Sequence, residues 1–183
     1  MKNREQQLLP HYNEHLSYRS SLDGLKFQTI LEILQTRICP RERVLDLGCG
    51  DARLYESLKP YHVDYTGVDY SEGRINRARN TYPEIALVYG DVRAFLSDSG
   101  STFGAITCFE VLEHLEDPEE VVSLALSRLT PDGILIGSVP INMPYVAHLQ
   151  VFKTVEDVQE RLKPTLCTAE HGHFWCKWEL AHI

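Results

Sequence analysis

Val44-Leu45-Asp46-Leu47-Gly48-Cys49-Gly50-Asp51 is the stretch on which the reading of the whole chain turns. An apolar run holding one acid leads into two glycines that bracket a small residue, and polar residues then open a helical pattern. A glycine accepts a positive φ and lets the backbone approach a ligand with no Cβ in the way. Strand, tight glycine turn and helix N-terminus in that order make a nucleotide-cofactor site. The same pattern also serves as a plain strand-to-helix turn, so the rest of the chain has to decide.

Working outward, the stretch recurs in outline three more times. Val63-Asp64-Tyr65-Thr66-Gly67-Val68-Asp69 is β-rich and ends in an acid, and Ser71 after it is a helix N-cap for a helix to about Thr81. Ile85-Ala86-Leu87-Val88-Tyr89-Gly90-Asp91 and Ala105-Ile106-Thr107-Cys108-Phe109-Glu110 repeat the pattern. Asp117-Pro118-Glu119-Glu120 starts a helix with an N-cap acid and proline at the first helical position. That helix runs to a turn at Thr130-Pro131-Asp132-Gly133, and Ile134–Val139 forms a fifth strand closed by Pro140. Five short strands alternating with helices predict a Rossmann-like open, mainly parallel twisted sheet with helices on both faces, a three-layer α/β/α fold. Upstream, residues 1–40 are expected to form an N-terminal helical arm, with apolar Leu22, Leu25, Ile30, Leu31 and Leu34 at helical spacing, and residues 41–183 the domain proper.

Composition narrows the classes. With 43% hydrophobic and 24% charged residues over 183 positions, the chain reads as one soluble globular domain with a real core. No apolar run reaches ~18 residues, so no membrane span is predicted. The polar start, Met1–Gln7, lacks the apolar core of a signal peptide. Five cysteines without a C-x-x-C pair point to reduced thiols and a cytoplasmic protein. A net charge of −8 disfavours extended phosphate-backbone binding. Arg74, Arg77 and Arg79 share one helix and read as a solvated face.

In an open parallel sheet, ligands sit beyond the carboxyl ends of the strands. Asp46, Asp69, Asp91 and Glu110 all fall there. Asp69 lies ~20 residues past the glycine turn, the place of an acid that accepts hydrogen bonds from ribose hydroxyls. Asp91 suits the exocyclic amine of adenine, with Val92 flanking the ring or donating its N–H. Tyr70 can cover one face of the base. Asp46 would face the cofactor's polar tail or orient the glycine loop. A pyrophosphate loop wants G-x-G-x-x-G, but Arg53 stands where the third glycine belongs, and Asp51 at the helix start would repel phosphate. A cofactor with a cationic centre and no phosphate fits better, which S-adenosylmethionine is.

At these residues the chain resembles the class I S-adenosylmethionine-dependent methyltransferases. VLDLGCGDARL (residues 44–54), YTGVDYS (65–71), VYGDVRAF (88–95), FEVLEHLEDP (109–118) and LTPDGILIGSVP (129–140) carry the likeness over about half the chain. The resemblance implies that Gly48 and Gly50 line the methionine part of S-adenosylmethionine, with Cys49 between them also cofactor-binding, that Asp69 takes the ribose and Asp91 and Val92 the adenine, and that Glu110 lies beside the sulfonium; S-adenosylhomocysteine is the implied product. It also implies a further helix and an antiparallel strand pair after the fifth strand, which take roughly 40 residues. With the chain running only to Ile183, the sheet is expected to be minimal or truncated and to lack that pair.

Glu110, Glu113 and His114 stand at i, i+3 and i+4, and Glu170-His171-Gly172-His173 comes later. E-x-x-E-H with a later histidine resembles metal-using methyltransferases of small-RNA 3′ ends and of ubiquinone biosynthesis, which implies a divalent metal on Glu110, Glu113, His114 and His171. The plainer reading assigns no metal: Glu110 meets cofactor and Glu113 and His114 orient a loop. His114 is the candidate catalytic residue, a general base with an unperturbed pKa near 6.5. His171, His173, Phe174, Trp175 and Trp178 look substrate-facing. The function expected is methyl transfer to oxygen or nitrogen of a small-molecule acceptor. The alternatives are a metal-dependent 2′-O-methyltransferase of small-RNA 3′ ends, a nicotinamide-dependent dehydrogenase and a non-catalytic cofactor-binding subunit.

Overall fold

The computed structural model describes Ile38, residues 40–170 and residues 175–181. Most of the expected N-terminal arm, and His171, His173 and Phe174, therefore lie outside the described residues.

Val44, Leu45 and Leu47 are shut off from solvent in the first strand, β1 (Arg43–Leu47). A strand covered on both faces belongs in the middle of a parallel sheet, and β1 lies between β2 (Asp64–Asp69) and β4 (Phe103–Phe109), parallel to both. β3 (Ala86–Tyr89) pairs with β2 and β5 (Leu129–Pro140) with β4, also in parallel. The side-chain period of two sorts the core. Leu45, Leu47 and Ile106 join one apolar cluster, and Val44, Ala105 and Tyr65 the other, on the opposite face of the sheet. Helices α1 (Arg53–Leu58), α2 (Glu72–Thr81), α3 (Val92–Asp98) and α4 (Pro118–Leu126) connect the strands. The expected three-layer α/β/α fold is the one observed.

The caps follow local chemistry. The Ser71 hydroxyl accepts the Arg74 N–H, and the Asp91 carboxylate accepts the Ala94 N–H at 2.8 Å. Asp117 precedes α4, with Pro118 in its first turn, but its side chain makes no capping hydrogen bond. The expected turn at Thr130–Gly133 lies inside β5. There Phe103 pairs with Leu129 and Ala105 with Ile134, so the extra residues form an irregularity in one continuous strand.

The expectation about the strand pair is overturned. Helix α5 (Val155–Leu162) and strands β6 (Leu166–Glu170) and β7 (Trp175–Ala181) follow β5, and β7 runs antiparallel to both β5 and β6. The sheet order is β3-β2-β1-β4-β5-β7-β6. The helix and both strands are short enough to fit before residue 183, which the length argument missed.

Asp46 points into the core, on the face that holds Tyr65. Its carboxylate accepts hydrogen bonds from the Tyr65 hydroxyl and, at 2.7 Å, from the Thr107 hydroxyl. Burial raises its pKa from 3.8 to about 6, against the lowering by those two hydroxyls. Because the folded state holds this proton more tightly, the group's contribution to stability is complete below pH 3.8 and is lost as pH rises through about 6. Tyr65→Phe is expected to cost about 2 kcal/mol at pH 7.5, where the hydroxyl meets a carboxylate, and about 1 kcal/mol at pH 5. Urea unfolding at the two pH values measures both; equal losses would show that Asp46 is not the charged partner.

Candidate functional site

The turn after β1 is tied to the end of β2. The Gly48 and Cys49 N–H groups both donate to the Val68 carbonyl, at 2.8 and 3.1 Å. The next N–H, of Gly50, donates to Asp69 Oδ2 at 2.8 Å, while the Ser71 N–H donates to Asp69 Oδ1 at 2.7 Å. Gly48 and Gly50 adopt φ of 69° and 55°, in the left-handed region that glycine enters without strain. A Cβ on Gly48 would also stand 2.2 Å from Val111 Cγ2, so backbone conformation and packing both require glycine there.

Above this turn opens a cleft of about 830 Å³, open solvent at its mouth included. All four junctions that follow β1 to β4 supply its walls: Gly48; Asp69, Tyr70, Ser71 and Arg74; Asp91 and Val92; and Glu110, Val111, His114 and Leu115. Seven residues singled out in the sequence thus meet in one place: Gly48, Asp69, Tyr70, Asp91, Val92, Glu110 and His114. Asp46, Cys49 and Gly50 do not line it. Asp46 is engaged below the sheet ends as described, the Cys49 side chain is buried against Gly67, and Gly50 serves the turn through its N–H. Asp51, expected to repel phosphate at the helix start, is instead ion-paired with Arg77 at 2.9 Å.

Ser71, Arg74, Val111 and Leu115 were not foreseen. Arg74 was read as part of a solvated face with Arg77 and Arg79, yet each goes its own way: Arg77 to Asp51, Arg79 to the Leu87 carbonyl and Arg74 into the cleft. The available signal was its position three residues after the N-cap Ser71, on the first helical turn beyond the carboxyl end of β2.

Each acid is held for a reason. Burial raises the pKa of Asp69, and the Ser71 and Gly50 N–H groups and the Arg74 charge lower it. Glu110 has a φ of 56°, unusual for a side-chain-bearing residue. Ser138 on β5 holds it twice, by its hydroxyl donating to Glu110 Oε1 at 2.7 Å and by its carbonyl accepting the Glu110 N–H at 3.0 Å. The Tyr70 and Tyr89 rings lie 6.4 Å apart at the carboxyl ends of β2 and β3.

The segment after β5 reaches back over the β4 junction. The Leu149 and Gln150 N–H groups donate to the Glu113 carbonyl at 2.7 and 3.0 Å. His114 Nδ1 lies 2.9 Å from the Ala147 carbonyl and His148 Nδ1 lies 2.7 Å from the Met143 carbonyl. A carbonyl only accepts, so both rings carry a proton on Nδ1, and in the neutral form the lone pair is on Nε2. Donor atoms of Glu113, His114 and His148 lie within 4.8 Å of one another. One carboxylate and two imidazoles fixed through their second nitrogen suit a first-row divalent ion. This set differs from the one the resemblance implied: His148 joins it, and Ser138 engages Glu110.

Residues 12–183 match the family model described as "Methyltransferase domain", and the chain belongs to that family, the class I S-adenosylmethionine-dependent methyltransferases. It is 34% identical over 121 residues to the ubiquinone biosynthesis O-methyltransferase of Coxiella burnetii, an alignment covering 64% of this chain and 51% of that protein. With the mitochondrial ubiquinone biosynthesis O-methyltransferase of Schizosaccharomyces pombe it shares 30% identity over 145 residues, 75% of this chain and 52% of the other. The chain thus spans about half the length of these curated relatives. An N-methyltransferase from Bradyrhizobium japonicum, solved with S-adenosyl-l-homocysteine, superposes with a TM-score of 0.76 at 16% identity, over 98% of this chain and 99% of that one. Magnesium protoporphyrin IX methyltransferase from Synechocystis, with bound S-adenosylmethionine, gives 0.74 at 16% identity, over 100% and 99% of the two chains. At such identities these two structures speak to the fold.

Gly48→Ala is expected to lower stability by about 2 kcal/mol, from a left-handed alanine together with overlap on Val111. Gly48→Ala with Val111→Ala should recover part of the loss, since the overlap is gone and the backbone strain stays. Thermal midpoints of the two variants decide it; no recovery would place the cost in φ alone.

Proposed function

We propose that this chain transfers the methyl group of S-adenosylmethionine to an oxygen of a small-molecule acceptor. The observation that carries the reading is the buried Asp69 carboxylate in a cleft lined jointly by Gly48, Asp91, Val92 and Glu110. Each Asp69 oxygen accepts one backbone N–H and keeps a second lone pair for a ribose hydroxyl. Asp91, whose Oδ1 is spent on the Ala94 N–H, offers its other oxygen to the adenine amine, with Val92 and Tyr70 against the ring. Gly48 lies along the methionine part, with the Gly50 N–H holding Asp69 beside it, and Glu110 stands beside the sulfonium, its carboxylate aligned by Ser138.

S-adenosylmethionine supplies a methyl group on a positively charged sulfur, which the acceptor displaces in line to leave S-adenosylhomocysteine. The work of this chain is then to align the acceptor, exclude water and remove the acceptor's proton. His114 is the group for that last task. It lines the cleft, and its Nδ1–H···O=C bond to Ala147 leaves Nε2 as the basic nitrogen. Oxygen is favoured over nitrogen by the names of the relatives at 34% and 30% identity. The charge of −8 favours a small acceptor over a long nucleic acid.

A second reading is favoured by the Glu113, His114 and His148 cluster. In it these three residues would hold a divalent ion, which would supply Lewis-acid polarisation of an acceptor hydroxyl, and an RNA 3′-terminal ribose would join catechol-like molecules as an acceptor class.

A thermal-shift titration with S-adenosylhomocysteine, with and without Mn²⁺, tests both readings. Ligand at 100 times Kd should stabilise the fold by about 2.7 kcal/mol. Asp69→Ala should weaken binding at least about tenfold, through loss of charge-assisted hydrogen bonds. No shift with the wild-type chain sinks the cofactor reading. A shift enlarged by Mn²⁺ supports the ion-dependent variant, and an unchanged one supports His114 acting alone.

A further inference from the structure

Among the described residues that line the cleft, Arg74 is the one arginine or lysine, and it stands there with three carboxylates, those of Asp69, Asp91 and Glu110. Its neighbour on the same helix, Arg77, is satisfied by Asp51 at 2.9 Å. Arg74 has no ion-pair partner among the described residues, and its Nε is closed off from solvent without a hydrogen bond. The nearby Asp69 carboxylate accepts one backbone N–H on each oxygen, from Gly50 and Ser71, and its remaining lone pairs are the ones assigned to the ribose. The guanidinium lies across the glycine turn, with Nη1 3.1 Å from the point that a Cβ on Gly50 would occupy. A half-buried cation with an unused N–H costs desolvation that an anion in the cleft would offset.

We propose that Arg74 reads the carboxylate of the cofactor's amino-acid end, and so sets the cleft's preference for S-adenosylmethionine and S-adenosylhomocysteine over nucleosides that lack that group. The identity of the anion follows from the chemistry of the ligand. S-adenosylmethionine carries one anionic group, the α-carboxylate, against two cationic ones, the ammonium and the sulfonium. The acids of the cleft suit the cations and the ribose, and none of them can meet a carboxylate. Arg74 stands over Gly50, at the end of the cleft where the glycine turn lies. Its planar fork can take both carboxylate oxygens at once, which a lysine cannot. Gly50 has no side chain, and the Arg74 guanidinium takes up the space where one would stand.

The role of Arg74 rests on the methyltransferase reading, and the test separates the two. Isothermal titration compares S-adenosylhomocysteine with 5′-methylthioadenosine, which keeps the nucleoside and a thioether but has no amino acid, on the wild-type chain, Arg74→Met and Arg74→Lys. Arg74→Met is expected to weaken S-adenosylhomocysteine by about tenfold to a hundredfold, the loss of a charge-assisted bidentate pair. Its affinity for 5′-methylthioadenosine should stay within about twofold of wild type, with Arg74→Lys in between for S-adenosylhomocysteine. Equal weakening of both ligands, or of neither, overturns the assignment while leaving the cofactor reading in place. Failure of the wild-type chain to bind either ligand overturns the cofactor reading and the role of Arg74 with it. Thermal midpoints of the variants without ligand show that each is folded; because Arg74→Lys keeps the charge, it separates an effect on binding from one on the fold.

Discussion

The Asp69 carboxylate accepts the Gly50 N–H through one oxygen and the Ser71 N–H through the other, and in doing so joins two junctions of the chain that are far apart in sequence. The glycine turn after β1 cannot drift from the end of β2, and the first turn of α2 starts at a fixed angle to both. Burying an acid is costly, and the two N–H donors are what make the ionised form tolerable there. The floor of the cleft is thus an electrostatic clasp as much as an apolar packing. Its geometry exists before any ligand arrives, which lowers the ordering cost of binding.

Beneath it lies a second buried acid with another duty. Asp46, Tyr65 and Thr107 belong to three adjacent strands, β1, β2 and β4, so their hydrogen bonds cross the centre of the sheet where the strand order switches direction. The two acids stand at opposite ends of one argument. Asp69 is solvated by backbone groups and left with lone pairs toward the cleft, whereas Asp46 is enclosed by hydroxyls and has its pKa lifted to about 6.

The periodicity of apolar residues made the parallel strands and most helix starts legible, because central strands covered on both faces must be continuously apolar and caps act within three residues. The cleft was legible to the same extent: acids at strand ends declare themselves by position alone. Legibility ended where the decision is made by partners distant in sequence. Nothing local tells that Asp46 turns toward Tyr65, that Arg74 leaves the company of Arg77, or that Thr130–Gly133 is taken up inside β5. His148 was invisible for the same reason: it reaches His114 only because residues 147–150 fold back on the backbone around Glu113. The missing strand pair was a misjudgement of length, since two short antiparallel strands need far less chain than a βα unit.

The order β5-β7-β6 places a strand that is made later between two made earlier. As the chain leaves the ribosome, β6 emerges with its eventual neighbour still unsynthesised, and β5 offers an open edge to solvent. Neither vacancy closes until β7 arrives and pairs with both at once. During that interval the residues that line the cleft, Gly48 to Leu115, are already synthesised beside an unfinished sheet. A ligand in the cell can therefore meet and steady the first half of this fold before the second half exists.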